Sequence, residues 1–328
     1  MRTNLRAWAR EMAAHFRESP TRAPLYVLYS WYLLLWFGIT SRRQVGTNVY
    51  DREWDVLVVL DACRTDTLRE VADEYEFITA VDEQWSVGSH SAEWLAQTFS
   101  TDYRSEIERT RYITSNPHAR RVLEQRMEPP VNNTTPVDFT RWDIVDPDSF
   151  EALEMVWEDH LDDTYRVTLP ETMTDHAIHA SRTHDPDRLI VHYMQPHLPY
   201  LGPALAEGRE PTELERQGYE KLQSGEADRQ AVYTAYKETL RLVLDEVEEL
   251  IANIDADRVA ITADHGEEFG EVSAYGHPEG FPHPIVRKVP WIETTAQDRG
   301  TREPQVESDT ERGERVDIEE HLKDLGYR

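Results

Sequence analysis

Four residues occupy positions from which their side chains could do chemistry together. Asp61 directly follows the apolar run 55–60 (DVLVVL). His197 follows 187–194 (DRLIVHYM) by way of Gln195 and Pro196. Asp264 and His265 close 257–263 (DRVAITA). Each run reads as a buried parallel strand, and open α/β sheets collect ligands at the carboxyl ends of their strands. Taken singly, an Asp after a strand is a turn or a helix cap, and a lone His is structural. Three such endings in one chain carry more weight. Two carboxylates and an imidazole suit a divalent cation of zinc or manganese type. They converge only if the three strands are neighbours.

Two further strands are expected at 110–114 (TRYIT) and 289–294 (VPWIET). Residues 228–253 predict a long helix with Tyr236, Leu240, Val243, Leu244, Val247 and Ile251 on one face. Strands separated by helices predict an α/β fold, with a mostly parallel central sheet and helices on both faces. Length alone would allow two domains. No composition shift marks a boundary, so one catalytic domain is expected over 46–295. Residues 124–170, rich in Pro, Asp and Trp, read as an insertion within it. Residues 296–328 read as a polar tail with a terminal helix over 317–327.

The stretch ITADHGEEFGEVSAYGHPEG (261–280) resembles the C-terminal metal motif of the alkaline phosphatase superfamily, in its sulfatase-like branch. VLVVLDACRTDTL (56–68) resembles the branch's first motif, and MQPHLPY (194–200) its His-x-Pro-Tyr motif. The order along the chain matches, and the resemblance covers residues 50–295. It implies that Asp61, Asp264 and His265 are metal ligands and that His197 and His277 face the transferred group. It also implies a nucleophile roughly 25 residues after Asp61. WSVGSHS (85–91) fits with Ser86 as nucleophile and metal ligand, Gly88 in place of a Pro, and His90 in the basic position. Ser89 and Ser91 are its rivals, and a Ser-rich helix cap is the plain alternative.

Departures from the family narrow the expectation. The formylglycine signature of true sulfatases, Cys-x-Pro-x-Arg, is missing. The single cysteine, Cys63, is expected to pack as a small apolar residue. His265, where sulfatases use Asn, moves the metal preference from calcium to zinc or manganese, with magnesium or calcium left open. Gln195 replaces an Asp that some relatives use, so one tightly bound ion is expected. The resemblance thus implies a metal-dependent hydrolase or transferase of anionic phosphate esters, in preference to sulfate esters, acting through a seryl intermediate. A lipid- or polysaccharide-linked substrate is one class it admits. The alternative is a sulfatase-like scaffold that binds metal or ligand without catalysis. Arg64 is read as a substrate contact or a partner of Asp66, and Asn116 as an anion contact or a turn residue. Glu267 and Glu271 are read as supports of the metal site or as surface acids.

Composition sets the limits. Against 35 Lys+Arg there are 63 Asp+Glu, for a formal net charge of −28. No basic face is left for a phosphate backbone, which excludes a nucleic-acid partner. One cysteine excludes a disulfide framework. Only Lys221, Lys237, Lys288 and Lys323 are lysines, and acid excess with lysine depletion reads as halophilic adaptation. Residues 1–22 break the pattern, with five arginines against Glu11 and Glu18. Leu5, Trp8, Met12 and Phe16 follow helical spacing there, as in a basic amphipathic helix. Residues 23–41 carry no charge and approach a bilayer span in length. Pro24 and five Tyr or Trp suit an interfacial helix; a helix packed on the domain is the alternative. Membrane association is therefore expected through residues 1–45. No cleavable signal peptide is evident, and a cytoplasmic or membrane-associated location is expected.

Overall fold

The computed structural model describes residues 2–306 together with Ile318, His321, Leu322 and Leu325. One sheet contains seven strands: β1 (Val56–Leu60), β2 (Asp82–Trp85), β3 (Thr110–Thr114), β4 (Ala152–Met155), β5 (Arg188–Tyr193), β6 (Ala256–Thr262) and β7 (Lys288–Ala296). Their order is β2-β7-β6-β1-β5-β3-β4. From β6 to β4 the strands run parallel, and β7 is antiparallel to both of its neighbours. The expected mostly parallel α/β sheet is found, and β7 extends beyond the predicted 289–294. β2 and β4 lie outside the predicted strands. Both are short edge strands, and neither buries a continuous apolar run. β4 comes from the segment expected to be an insertion.

Among the helices of the described residues, those that frame the sheet or form the N-terminal segment include α1 (Leu5–Glu18), α2 (Ala23–Thr40), α3 (Thr65–Val71), α4 (Ser91–Thr98), α5 (Pro170–His184) and α6 (Arg229–Ile251). Every residue of β1 is buried, because helices cover both faces of the sheet. Alternate side chains serve the two sides. Val56, Val58 and Leu60 pack with Leu68 of α3, Met173 of α5 and Leu244 of α6. Leu57 and Val59 pack with Trp94 and Leu95 of α4. Cys63 is buried in the first of these layers, as expected for a small apolar residue.

β1 hydrogen-bonds to β5 on one side and β6 on the other. Leu60 pairs with Tyr193 and Val59 with Thr262. The condition for convergence is therefore met: Asp61, His197 and the Asp264–His265 pair leave the sheet at the same edge.

α1 and α2 form a hairpin joined at 19–22. The Trp8 indole Nε1 donates to Ser30 Oγ at 2.9 Å, and the His15 ring stacks on Tyr26 with centroids 4.0 Å apart. α2 is long and apolar enough to cross a membrane, yet a third of it is buried against the protein. The terminal helix expected over 317–327 lies mostly outside the described residues. Leu322 and Leu325 of that stretch pack on Val167, Met194 and Leu201. Because Leu244 is fully buried between helix and sheet, Leu244→Ala should lower stability by about 2–5 kcal/mol. Denaturant melts of the two proteins in the same salt would measure it.

Candidate active site and metal centre

The turn after β1 is tied to the turn after β6 by backbone and carboxylate. Asp61 donates its backbone N–H to the Tyr193 carbonyl at 3.1 Å. Ala62 adopts φ +60°, a left-handed conformation unfavourable for a residue with a Cβ. Its N–H donates to Asp264 Oδ1 at 3.1 Å, and its carbonyl accepts the Tyr236 hydroxyl of α6 at 2.8 Å. The same hydroxyl accepts the Arg64 N–H at 2.8 Å. Asp264 Oδ1 also accepts the His265 N–H at 2.9 Å. One carboxylate oxygen of Asp264 is thus engaged by backbone, and the other points into the pocket.

Asp61, His192, Asp264 and His265 are all fully buried. Asp61 Oδ1, Asp264 Oδ2 and His192 Nε2 have no hydrogen-bond partner among the described residues. His265 Nε2 lies 3.4 Å from Asp264 Oδ2 and 3.7 Å from Asp61 Oδ1. Its Nδ1 donates to the Gly266 carbonyl at 3.0 Å, which leaves Nε2 with its lone pair. Asp61, His192 and Asp264 offer ligand atoms within 4.8 Å of one another. Four ligands about 2.0–2.2 Å from a tetrahedral ion lie roughly 3.3–3.6 Å apart, so these spacings fit a divalent cation. Burial, and after it the charge of Asp264, holds the Asp61 carboxyl well above the usual carboxylate range. A cation between the two carboxylates would remove that conflict.

Ser91 completes the arrangement. It begins α4, with Oγ 3.3 Å from Asp61 Oδ2 and 3.2 Å from His265 Nε2. Ser86 sits differently. Its hydroxyl donates to the Asp264 carbonyl and accepts the Gly88 N–H at 3.2 Å, bracing one loop on the other. Ser89 bonds Glu93 and the Pro278 carbonyl. Of the three candidate serines, Ser91 alone has a hydrogen bond to a predicted ligand side chain among those described. Gly88 permits this course, since a Cβ there would lie 2.5–2.7 Å from Trp94 atoms.

A second group of buried side chains faces the first. His277 Nδ1 is 3.3 Å from Glu267 Oε1 and 3.4 Å from Oε2. The His277 ring lies 4.4 Å from that of His265, 5.0 Å from His197 and 5.3 Å from His90, and His118 lies 4.8 Å from His90. His197 Nδ1 donates to the Leu198 carbonyl at 2.9 Å. Burial lowers His277 to about 4 and His197 to about 3, and raises Glu267 to about 7. His197, Glu267 and His277 also offer ligand atoms within 4.8 Å of one another. A cavity of about 230 Å³, lined by His90, Asn132, Tyr219, His277 and Glu279, gives onto this group.

The pocket thus gathers Asp61, His197, Asp264, His265 and His277, with Ser91 among them and Ser86 beneath. Two of its histidines lie beyond the predicted site residues. His192 belongs to a buried strand run, where one polar residue among apolar ones was the available signal. His118 has no motif of its own. Asn116 turns the chain, accepting the His118 N–H at 2.8 Å, and also donates to Asp61 Oδ2 at 2.6 Å. Arg64 pairs with both Asp66, at 2.6 Å, and Glu271, at 2.9 Å.

No family model and no curated protein matches the chain. Solved structures do. The soluble domain of lipooligosaccharide phosphoethanolamine transferase A from Neisseria meningitidis is 16% identical, with 74% of this chain and 76% of that one covered and a TM-score of 0.47. The integral membrane form of that transferase is 16% identical over 88% of this chain and 59% of its own, at 0.45. Phosphonate monoester hydrolase of Agrobacterium radiobacter is 12% identical over 73% and 67%, at 0.35. At such identities, with TM-scores below 0.5, they are likenesses only, and the chemistry rests on this chain's own residues.

Glu271 gives a test of the electrostatics beside the pocket. Against its partial burial, the Arg64 guanidinium holds its carboxyl down to about 2. The stabilisation is present above the ordinary carboxylate range and is lost as pH falls towards that value. The stability gap between the native protein and Glu271→Gln should therefore narrow between about pH 6 and about pH 3. Chemical denaturation at the two pH values checks it.

Proposed function

We propose that this chain is a metal-dependent phosphoryl-type hydrolase or transferase, with Ser91 as its nucleophile and residues 46–295 as its catalytic unit. The observation that carries the proposal is Ser91 Oγ, set between Asp61 and His265 at the start of α4. Asp61, Asp264 and His265 would hold the cation, with His192 at their side. When bound, the cation supplies Lewis acidity, favouring the seryl alkoxide and neutralising charge on a phosphoryl oxygen. Zinc or manganese suits the mixed Asp and His donors.

The chain's own groups then divide the work. Ser91 gives up its hydroxyl proton to solvent and its Oγ attacks phosphorus in line, while the ester oxygen leaves on the opposite side. His197 and His277 face the remaining oxygens from a dry pocket, where fixed donors act strongly. Burial keeps the His277 ring neutral and raises Glu267 to about 7, so a protonated Glu267 donates to Nδ1 while His277 Nε2–H faces the leaving oxygen and delivers its proton there, the Glu267 proton replacing it at Nδ1. Water or an acceptor alcohol next attacks the phosphoseryl group and regenerates Ser91. The missing formylglycine signature supports phosphate over sulfate esters. The acidic, lysine-poor coat supports work in concentrated salt.

Ser91→Ala should lower aryl phosphate diester or monoester turnover on the order of a thousandfold or more, and Ser86→Ala far less. Acid-quenched digests should carry phosphate on Ser91. Phosphate on Ser86 would move the nucleophile there, and metal-loaded protein with no turnover would favour the scaffold. His277→Ala should slow alkyl esters, whose leaving group needs a proton, more than nitrophenyl esters. Equal losses across a leaving-group series would remove the acid role.

A further inference from the structure

α2 has two unlike sides although it is apolar throughout. Leu25, Leu28, Trp31, Leu35 and Ile39 are 64%, 66%, 49%, 63% and 59% exposed. Their spacing of three or four residues places them on one side of the helix. The opposite side, with Leu33, Leu34 and Phe37, is buried. That buried side is also fastened by polar bonds. The Tyr29 hydroxyl donates to the Glu279 carbonyl and Tyr32 to the Gly280 carbonyl at 2.6 Å. The Trp36 indole donates to Glu93 at 2.8 Å. A helix so fastened cannot cross a bilayer without breaking these contacts, whereas its exposed stripe can enter the surface of one.

Charge selects the partner. Arg22 precedes α2, and Arg42 and Arg43 follow it, all exposed. α1 adds exposed Arg6, Arg10 and Arg17 alongside. These cations gather at one end of a chain whose formal net charge is −28. An anionic surface would attract this hairpin and repel the rest of the molecule, which fixes one orientation. Trp31 and Tyr26 suit the head-group level.

We propose that the α1–α2 hairpin is an in-plane anchor that docks on an anionic lipid bilayer. The Leu25–Ile39 stripe sinks into the acyl boundary, and the arginines lie at the head groups. Docking would also bring the active-site cavity to the lipid surface. Glu279, whose carbonyl holds Tyr29, lines that cavity, and its carboxylate accepts the Val131 N–H at 2.6 Å and the Asn132 N–H at 3.1 Å. Asn132 in turn contacts His90 at 3.1 Å. A phosphate ester carried on a lipid head group is then the substrate class the cavity would meet. That last step rests on the proposed phosphoryl chemistry; docking does not.

The test uses the full chain without added metal, so that failure of docking is separate from failure of catalysis. Flotation is measured with vesicles of phosphatidylcholine alone and with added phosphatidylglycerol. The native chain should float with the anionic vesicles, and Leu28→Glu with Leu35→Glu should cut this by about tenfold or more. Arg42→Gln with Arg43→Gln should weaken flotation in dilute buffer and matter less in about 2 M salt. Undiminished flotation of the double Leu variant would overturn the proposal. So would a native chain that stays off vesicles and instead forms a dimer that this variant dissociates. Arg22→Cys and Arg43→Cys, made singly, should both react with an impermeant maleimide outside the vesicle. Protection of one of the two would mean that α2 spans the bilayer, and would overturn the in-plane anchor.

Discussion

Two carboxylates, Asp61 and Asp264, share one fully buried pocket at the ends of adjacent parallel strands. Like charges this close in a medium of low polarity repel strongly, and each also loses its hydration. Folding alone offers no reason to bring them together. The surrounding structure nevertheless holds them there. Asp264 ties the strained Ala62 turn to its own, Tyr236 buttresses that turn from α6, and Asn116 fixes Asp61 from the end of β3. The arrangement makes sense once a cation is counted as part of the site. The imidazoles of His265 and His192 and the hydroxyl of Ser91 then become the rest of its surroundings.

The parts of this site that sequence reveals are those that follow buried strands. VLVVL and the VAITA that ends DRVAITA are buried, because helices cover both sides of the sheet, and Asp61 and Asp264 come just beyond their ends. Their convergence depended on strand order, which local pattern does not encode; pairing of β1 with both β5 and β6 supplied it. The choice among three serines was equally out of reach. Ser86, Ser89 and Ser91 share a seven-residue stretch, and only the path of the loop determines which hydroxyl meets Asp61. The path bends at Gly88 and is held by the buried Arg287–Glu93 pair at 2.9 Å, whose partners are 194 residues apart. β2 and β4 escape detection because edge strands need no apolar run, and His192 because a buried strand pattern hides a single polar residue.

The acidity of the chain and its N-terminal hairpin belong to different problems. The 63 acids, against 35 Lys+Arg, give the chain its formal net charge of −28. The hairpin, with its exposed apolar stripe and arginines, obeys the opposite rule. It meets the sheet domain at the Glu93 carboxylate, which also holds the Ser89 loop, and at the carbonyl of Glu279, whose carboxylate holds the cavity wall. Whatever the hairpin rests on is therefore mechanically close to Ser91, with Glu93 lying two residues further along the same helix.

In the proposed function, Asp61, Asp264 and His265 hold one divalent cation against Ser91. Anomalous diffraction from crystals soaked in manganese or zinc tests it most directly. A peak is expected about 2.0–2.3 Å from Asp61, Asp264 and His265 ligand atoms, with Ser91 Oγ as the nearest hydroxyl. A peak confined to His197, Glu267 and His277, or an ion whose nearest hydroxyl is Ser86, would contradict it.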